Sequence, residues 1–174
     1  PTVRILVVED SPEDFEVLEH ALRGAGLDCS LERVDTEAEL DRALAEPGLD
    51  PVLSDFRLLG FDALTVLERV RELAPDVPVV VVTGSIDEET AVSCMRAGAA
   101  DYVLKERLSR LAPRVEAVLE ARGLRLEVRA GERRLHASAN RFRELVEQID
   151  DVIFETVLGG QIADISPAVA TLAG

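Results

Sequence analysis

Lysine is almost missing: of nineteen basic residues only Lys105 is one, and the rest are arginine. Arginine bias follows from genome base composition as easily as from function. A lone lysine in such a chain still hints that its position needs an ammonium. Cysteine is as scarce, with Cys29 and Cys94 far apart in the chain. That spacing offers neither a disulfide framework nor a Cys-based metal site, and it reads as reduced thiols. No apolar run approaches the roughly 18 residues that a membrane span requires. No basic and apolar leader stands at Pro1, so a cytoplasmic protein without a membrane span is the expectation. Bases are few against 34 acids, leaving a net charge of −15. Such a surface repels a phosphate backbone, so direct contact with nucleic acid is not expected. The imbalance is concentrated in residues 1–123, with 26 acids and 13 bases.

What is present is enough apolar material for a core, 47% of 174 residues, with 30% charged residues to solvate it. Val3–Val8 is a short branched apolar run, the pattern of a strand covered on both faces. Ser11 and Pro12 supply a helix cap and a first-turn proline, with Asp14 three residues beyond Ser11. Phe15, Leu18, Leu22 and Ala25 then step at helical spacing until Gly24 and Gly26 end it. The alternation repeats. Strands are expected at Ser30–Val34, Pro51–Ser54, Pro78–Val82 and Asp101–Leu104, and helices from about Thr36, Asp62, Asp87 and Leu108. The third helix should turn Leu64, Leu67, Val70 and Leu73 inward. Five strands, each followed by a helix, predict an α/β fold: a parallel sheet of flavodoxin-like order 2-1-3-4-5 with helices on both faces.

Beyond Pro113 the helical pattern runs on as a C-terminal extension. Ala121, Val128, Leu135, Phe142 and Ile149 recur every seven residues, with Leu124, Gly131, Ser138 and Leu145 between them. The stripe predicts either a dimerising coiled coil or an amphipathic helix lying back on the domain. Val152–Val157 and Gln161–Ile165 flank Gly159-Gly160 as a hairpin would, and Ser166-Pro167 starts a short helix. Two strands cannot build a core, so residues 150–174 read as the opening of a second domain. The expected division is 1–122, 123–149 and 150–174.

Ligands of open α/β sheets gather at the carboxyl ends of the strands. Here those ends deliver Glu9-Asp10, Asp55, Thr83 and Lys105. Singly, each has a plainer explanation as a capping acid, a turn residue or a surface charge. Together they converge on one edge. Clustered carboxylates repel one another unless a cation lies between them. Hard oxygen ligands suit Mg²⁺, and a hydroxyl with an ammonium beside it suits the oxygens of a phosphoryl group.

The pieces ILVVEDSPED, LSDFRLLGFDAL, PVVVVTG and AGAADYVLK, in this order and spacing, make residues 1–120 resemble the receiver domain of two-component response regulators. The resemblance implies that Asp55 accepts a phosphoryl group from a phosphohistidine of a cognate histidine kinase or phosphotransfer protein. It implies Mg²⁺ held by Glu9, Asp10, Asp55 and the backbone carbonyl of Arg57. Thr83 and Lys105 would contact the phosphoryl oxygens, and Tyr102 would be the aromatic switch. The chain would then be no enzyme beyond its own phosphorylation and dephosphorylation.

The resemblance has departures. Leu59, followed by Gly60, stands where the family usually carries proline, and Phe61-Asp62-Ala63 replaces a commoner Met-Asp-Gly. Arg57 could block the pocket and alter dephosphorylation. Two other readings remain open at this stage: an Mg²⁺-dependent phosphatase with Asp55 as nucleophile, and a receiver-like dimerisation platform that signals without phosphate. The tail from Arg141 onward is similar to the start of a PAS sensory domain. That order of parts suits a parent protein such as a sensor histidine kinase. Neither His20 nor His136 lies in a context resembling a kinase phosphoacceptor.

Overall fold

The computed structural model describes residues 2–84, 88–147, 154–156 and 162–165. Strands β1 (Val3–Val8), β2 (Cys29–Val34), β3 (Val52–Asp55), β4 (Val79–Thr83) and β5 (Asp101–Leu104) form one sheet of order β2-β1-β3-β4-β5, with every pairing parallel. This is the expected flavodoxin-like order. Parallel neighbours require crossovers. These are helices α1 (Pro12–Gly24), α2 (Glu37–Leu44), α3 (Ala63–Leu73) and α4 (Glu88–Ala97).

Local chemistry sets the helix ends. Ser11, Thr36 and Asp62 each accept a hydrogen bond from the backbone N–H three residues ahead, on Asp14, Glu39 and Thr65. Gly98, at φ 107°, takes the left-handed conformation that closes α4.

Alternation along the strands sorts the core into two layers. Leu6, Val8, Val52, Val79 and Val81 face α2, α3 and α4. Ile5, Val7, Leu53, Val80, Val82 and Val103 face α1 and the start of the last helix, through Leu18, Leu22, Leu111, Val115 and Val118. The inward ridge of α3 differs from expectation. Its buried residues are Ala63, Val66, Leu67 and Val70, while Leu73 is 46% exposed and Leu64 is only partly buried at the margin. A ridge stepping 63, 67, 70 reaches Ala74, which packs on the core, rather than Leu73.

The last helix also starts differently. A 3-10 turn at Lys105–Arg110 precedes α5, which runs from Leu111 to Glu147. Pro113 is accommodated because it lies in the first turn, where backbone N–H groups have no helical partner. The chain divides into two compact units, 1–124 and 125–174, so α5 belongs to both. In the second unit, β6 (Phe154–Thr156) and β7 (Ile162–Ile165) pair antiparallel. Ser85, the expected helix start at Asp87, Ile149, the Gly159-Gly160 turn and the Ser166-Pro167 helix start lie outside the described residues. Among the described residues no helix is long and apolar enough to cross a membrane.

The corrected α3 ridge is testable by urea unfolding. Leu67→Ala should lower stability by about 2–5 kcal/mol, whereas Leu73→Ala should stay within about 1 kcal/mol of the parent. The reverse ranking would contradict this packing.

Candidate functional site

The same alternation that sorts the core selects the residues that meet at the carboxyl edge. Glu9 continues the row of Ile5 and Val7, Asp55 that of Leu53, and Lys105 that of Val103, all on the α1/α5 side. Thr83 continues the row of Val81, on the opposite side, and Asp10 lies two residues beyond the end of β1. The three residues on the first side converge. The Lys105 ammonium donates to Asp55 Oδ2 at 2.8 Å and to Glu9 Oε2 at 2.9 Å. Its third hydrogen bond goes to Asp14 Oδ2, a residue the sequence reading used only as a helix-cap neighbour. A signal for Asp14 was there to be read. It lies four residues before Leu18 and eight before Leu22, on the inward stripe of α1 carried to the strand ends.

Burial sets the electrostatics. Glu9 is only 1% exposed, and its Oε1 accepts from the Ser11 N–H at 3.1 Å. Burial pushes its carboxyl above the ordinary value of 4.5, against the pull of Lys105 and the Ser11 N–H. Burial alone would lower the Lys105 ammonium, but its hydrogen bonds to Asp14, Asp55 and Glu9 outweigh that effect and raise it above the usual lysine value. Asp55 Oδ1 also accepts from the Phe56 N–H at 2.6 Å, which fixes the carboxylate at the end of β3.

One carboxylate oxygen each from Glu9, Asp14 and Asp55 lie within 4.8 Å of one another. Three carboxylates around one ammonium leave an excess of negative charge. Hard oxygens at this spacing fit a small divalent cation such as Mg²⁺. Asp10 is outside that group: its Oδ2 accepts from the Leu59 N–H at 3.1 Å. A proline at position 59 could not make this bond, so the departure noted at Leu59 has a structural counterpart. The loop turns at Gly60, φ 96°, and is pinned by an antiparallel bridge between Arg57 and Asp62. Arg57 is exposed and forms no ion pair with any described residue. Thr83 is buried at the end of β4. Tyr102 pairs with Val81 across the ladder, on the same side of the sheet as Thr83. It is partly exposed beside a cavity of about 160 Å³ lined also by Arg107, Arg110 and Arg114.

Because folding raises the Glu9 pKa, the stability this group contributes is present at low pH and lost as pH rises through its raised value. In metal-free buffer at pH 7.5, Glu9→Gln should therefore raise the melting temperature. The gain should shrink on acidification toward Glu9's raised pKa. Calorimetry showing an equal or lower melting temperature at pH 7.5 would contradict this.

Residues 5–116 match the profile described as the response regulator receiver domain. The chain is 40% identical over 101 residues to the Escherichia coli DNA-binding transcriptional regulator NtrC, covering 58% of this chain and 21% of that regulator. It is 35% identical over 127 residues to the C4-dicarboxylate transport transcriptional regulatory protein DctD of Pseudomonas aeruginosa, covering 72% of this chain and 27% of that protein. The match thus spans about a fifth to a quarter of the length of these curated relatives. A Thermotoga maritima response regulator superposes with TM-score 0.61 at 29% identity, over 69% of this chain and 99% of its own. The receiver domain of a Pseudomonas aeruginosa sensor histidine kinase, with a magnesium ion coordinated in its active site cleft, superposes with TM-score 0.60 at 25% identity, over 69% and 99%.

Proposed function

This chain belongs to the response regulator receiver domain family, and from that premise we propose that it is the phosphoacceptor module of a two-component phosphorelay. The observation that carries the reading is Asp55, at the end of β3, held 2.8 Å from the Lys105 ammonium. An Asp55 oxygen forms a bond to phosphorus as the phosphorus–nitrogen bond of a donor phosphohistidine breaks. The imidazole keeps the bonding electron pair and takes up a proton. The donor is a cognate histidine kinase or phosphotransfer protein. Positioning and charge neutralisation carry the reaction, because the carboxylate needs no base to become a nucleophile.

Mg²⁺, when bound, supplies neutralisation of the charge that builds on the phosphoryl oxygens. Glu9 and Asp55 from the carboxylate cluster, with Asp10 and the Arg57 carbonyl, are the residues we assign to it; Asp14, the third carboxylate of the cluster, is left to Lys105, and Asp10 would exchange the Leu59 N–H for the ion. Lys105 takes a peripheral oxygen as a compact point charge, which arginine's planar fork would not reproduce. Thr83 donates its hydroxyl to the phosphoryl group, and Tyr102, on the same side of the sheet, follows Thr83 as the switch.

The signal then leaves through α5. Past Leu119 no described residue of this helix is buried, and Leu124, Val128, Leu135 and Phe142 are all exposed. Val128, Leu135 and Phe142 lie seven apart, a seam suited to a second copy of the chain. We assign residues 1–122 to the receiver, 123–149 to a dimerising helical linker and 150–174 to the opening of a PAS-like domain. The module acts in the cytoplasm, inside a longer parent such as a sensor histidine kinase or a regulator. The acidic surface argues that any contact with nucleic acid is made by other parts of that parent.

Intact mass after exposure to acetyl phosphate and Mg²⁺ tests the phosphoacceptor. One phosphoryl group should be gained by the parent and none by Asp55→Asn or without Mg²⁺. A gain that persists in Asp55→Asn would contradict the assignment. For the linker, sedimentation of Leu135→Asp with Phe142→Asp should show loss of self-association, and an unchanged mass would contradict the seam.

A further inference from the structure

We propose that Asp14 is a positioning residue for phosphoryl transfer, a tether that the Lys105 ammonium must leave before it can hold the incoming phosphoryl group. The inference rests on Asp55 being the phosphoacceptor.

An ammonium has three N–H donors, and all three of Lys105 are engaged, by Glu9, Asp14 and Asp55. A phosphoryl oxygen therefore gains the ammonium only if one carboxylate gives it up. The three differ in what release entails. The Glu9 side chain is 1% exposed, so losing its partner leaves a buried charge unpaired, the most unfavourable outcome. The Asp55 side chain is 14% exposed and is the group that itself becomes the acyl phosphate. The Asp14 side chain is 45% exposed, and water replaces the ammonium there at little loss. The exchange thus falls on Asp14.

Placement supports the same role. Asp14 sits in the first turn of α1, with its own N–H fixed by Ser11 Oγ at 3.2 Å. It is the only one of the three acids that comes from a helix rather than from a strand end. Its carboxylate thus holds Lys105 from a helix, while β3 presents Asp55 from the sheet. Ion pairs with a half-exposed partner are weak, so the effect of the tether is a tuning of about two- to five-fold.

The full chain with saturating Mg²⁺ and acetyl phosphate gives the first measurement, the second-order rate of phosphoryl gain by intact mass. Asp14→Asn should raise it about two- to five-fold, and Asp14→Glu, which keeps the charge, should return it toward the parent rate. Glu16→Gln removes the same charge from the exposed side of the same helix and should leave the rate near that of the parent. The second measurement needs no phosphorylation. Lys105 is the single lysine, so its acylation by an amine reagent at fixed pH, followed on the peptide that carries it, reports on the tether alone. It should quicken in Asp14→Asn and not in Glu16→Gln.

Rates in Asp14→Asn that match Glu16→Gln in both measurements, or phosphorylation that slows, would overturn the proposal. No phosphoryl gain by the parent would instead overturn the phosphoacceptor reading and any role of Asp14 in transfer, and the lysine measurement would still decide whether the tether exists.

Discussion

One ammonium among three carboxylates is the constraint on which the site depends. Glu9 is buried too deeply to be ionised comfortably, and the hydrogen bonds from Lys105 and the Ser11 N–H oppose the effect of its burial. Asp55 is held by the same ammonium on one oxygen and by the Phe56 N–H on the other. The geometry therefore exists before any cation or phosphoryl group arrives, with Lys105 standing where positive charge is needed. An arrangement of this kind favours an incoming charge pair, a hard dication for the carboxylates and a phosphoryl dianion for the ammonium.

The sheet explains why these residues and not their neighbours meet. A period of two sends Glu9, Asp55 and Lys105 to the α1/α5 side and Thr83 to the other. Branched, fully buried runs such as Val79–Val82 leave no freedom of register, because a slip of one residue would exchange the two layers. The core is thereby what aims the polar groups at its edge. Thr83 and Tyr102, which we assign as the switch pair, share the other side.

Most of this was legible in the sequence, because parallel strands buried on both faces announce themselves as apolar runs and capped helices follow them. Crossover handedness left few topologies, the flavodoxin-like order chosen among them is the one found, and the polar strand ends followed from where each run stopped. Three points were less visible. Leu73 looked inward by spacing alone, yet the ridge from Ala63 passes through Ala74. Asp14 was hidden behind its capping position, although its place four residues before Leu18 marked it as inward-facing. The bond from the Leu59 N–H to Asp10 depends on the path of a loop that no periodicity describes.

Lys105 also supplies the most direct measurement of the whole account, since a chain labelled with ¹³C-lysine carries one lysine signal. Adding Mg²⁺ with beryllium trifluoride, a tetrahedral stand-in for the phosphoryl group, should shift the Lys105 side-chain resonance in the parent and leave it unmoved in Asp55→Asn. That outcome would place the ammonium on the group borne by Asp55. A parent signal that does not respond, or one that responds equally in Asp55→Asn, would contradict the account.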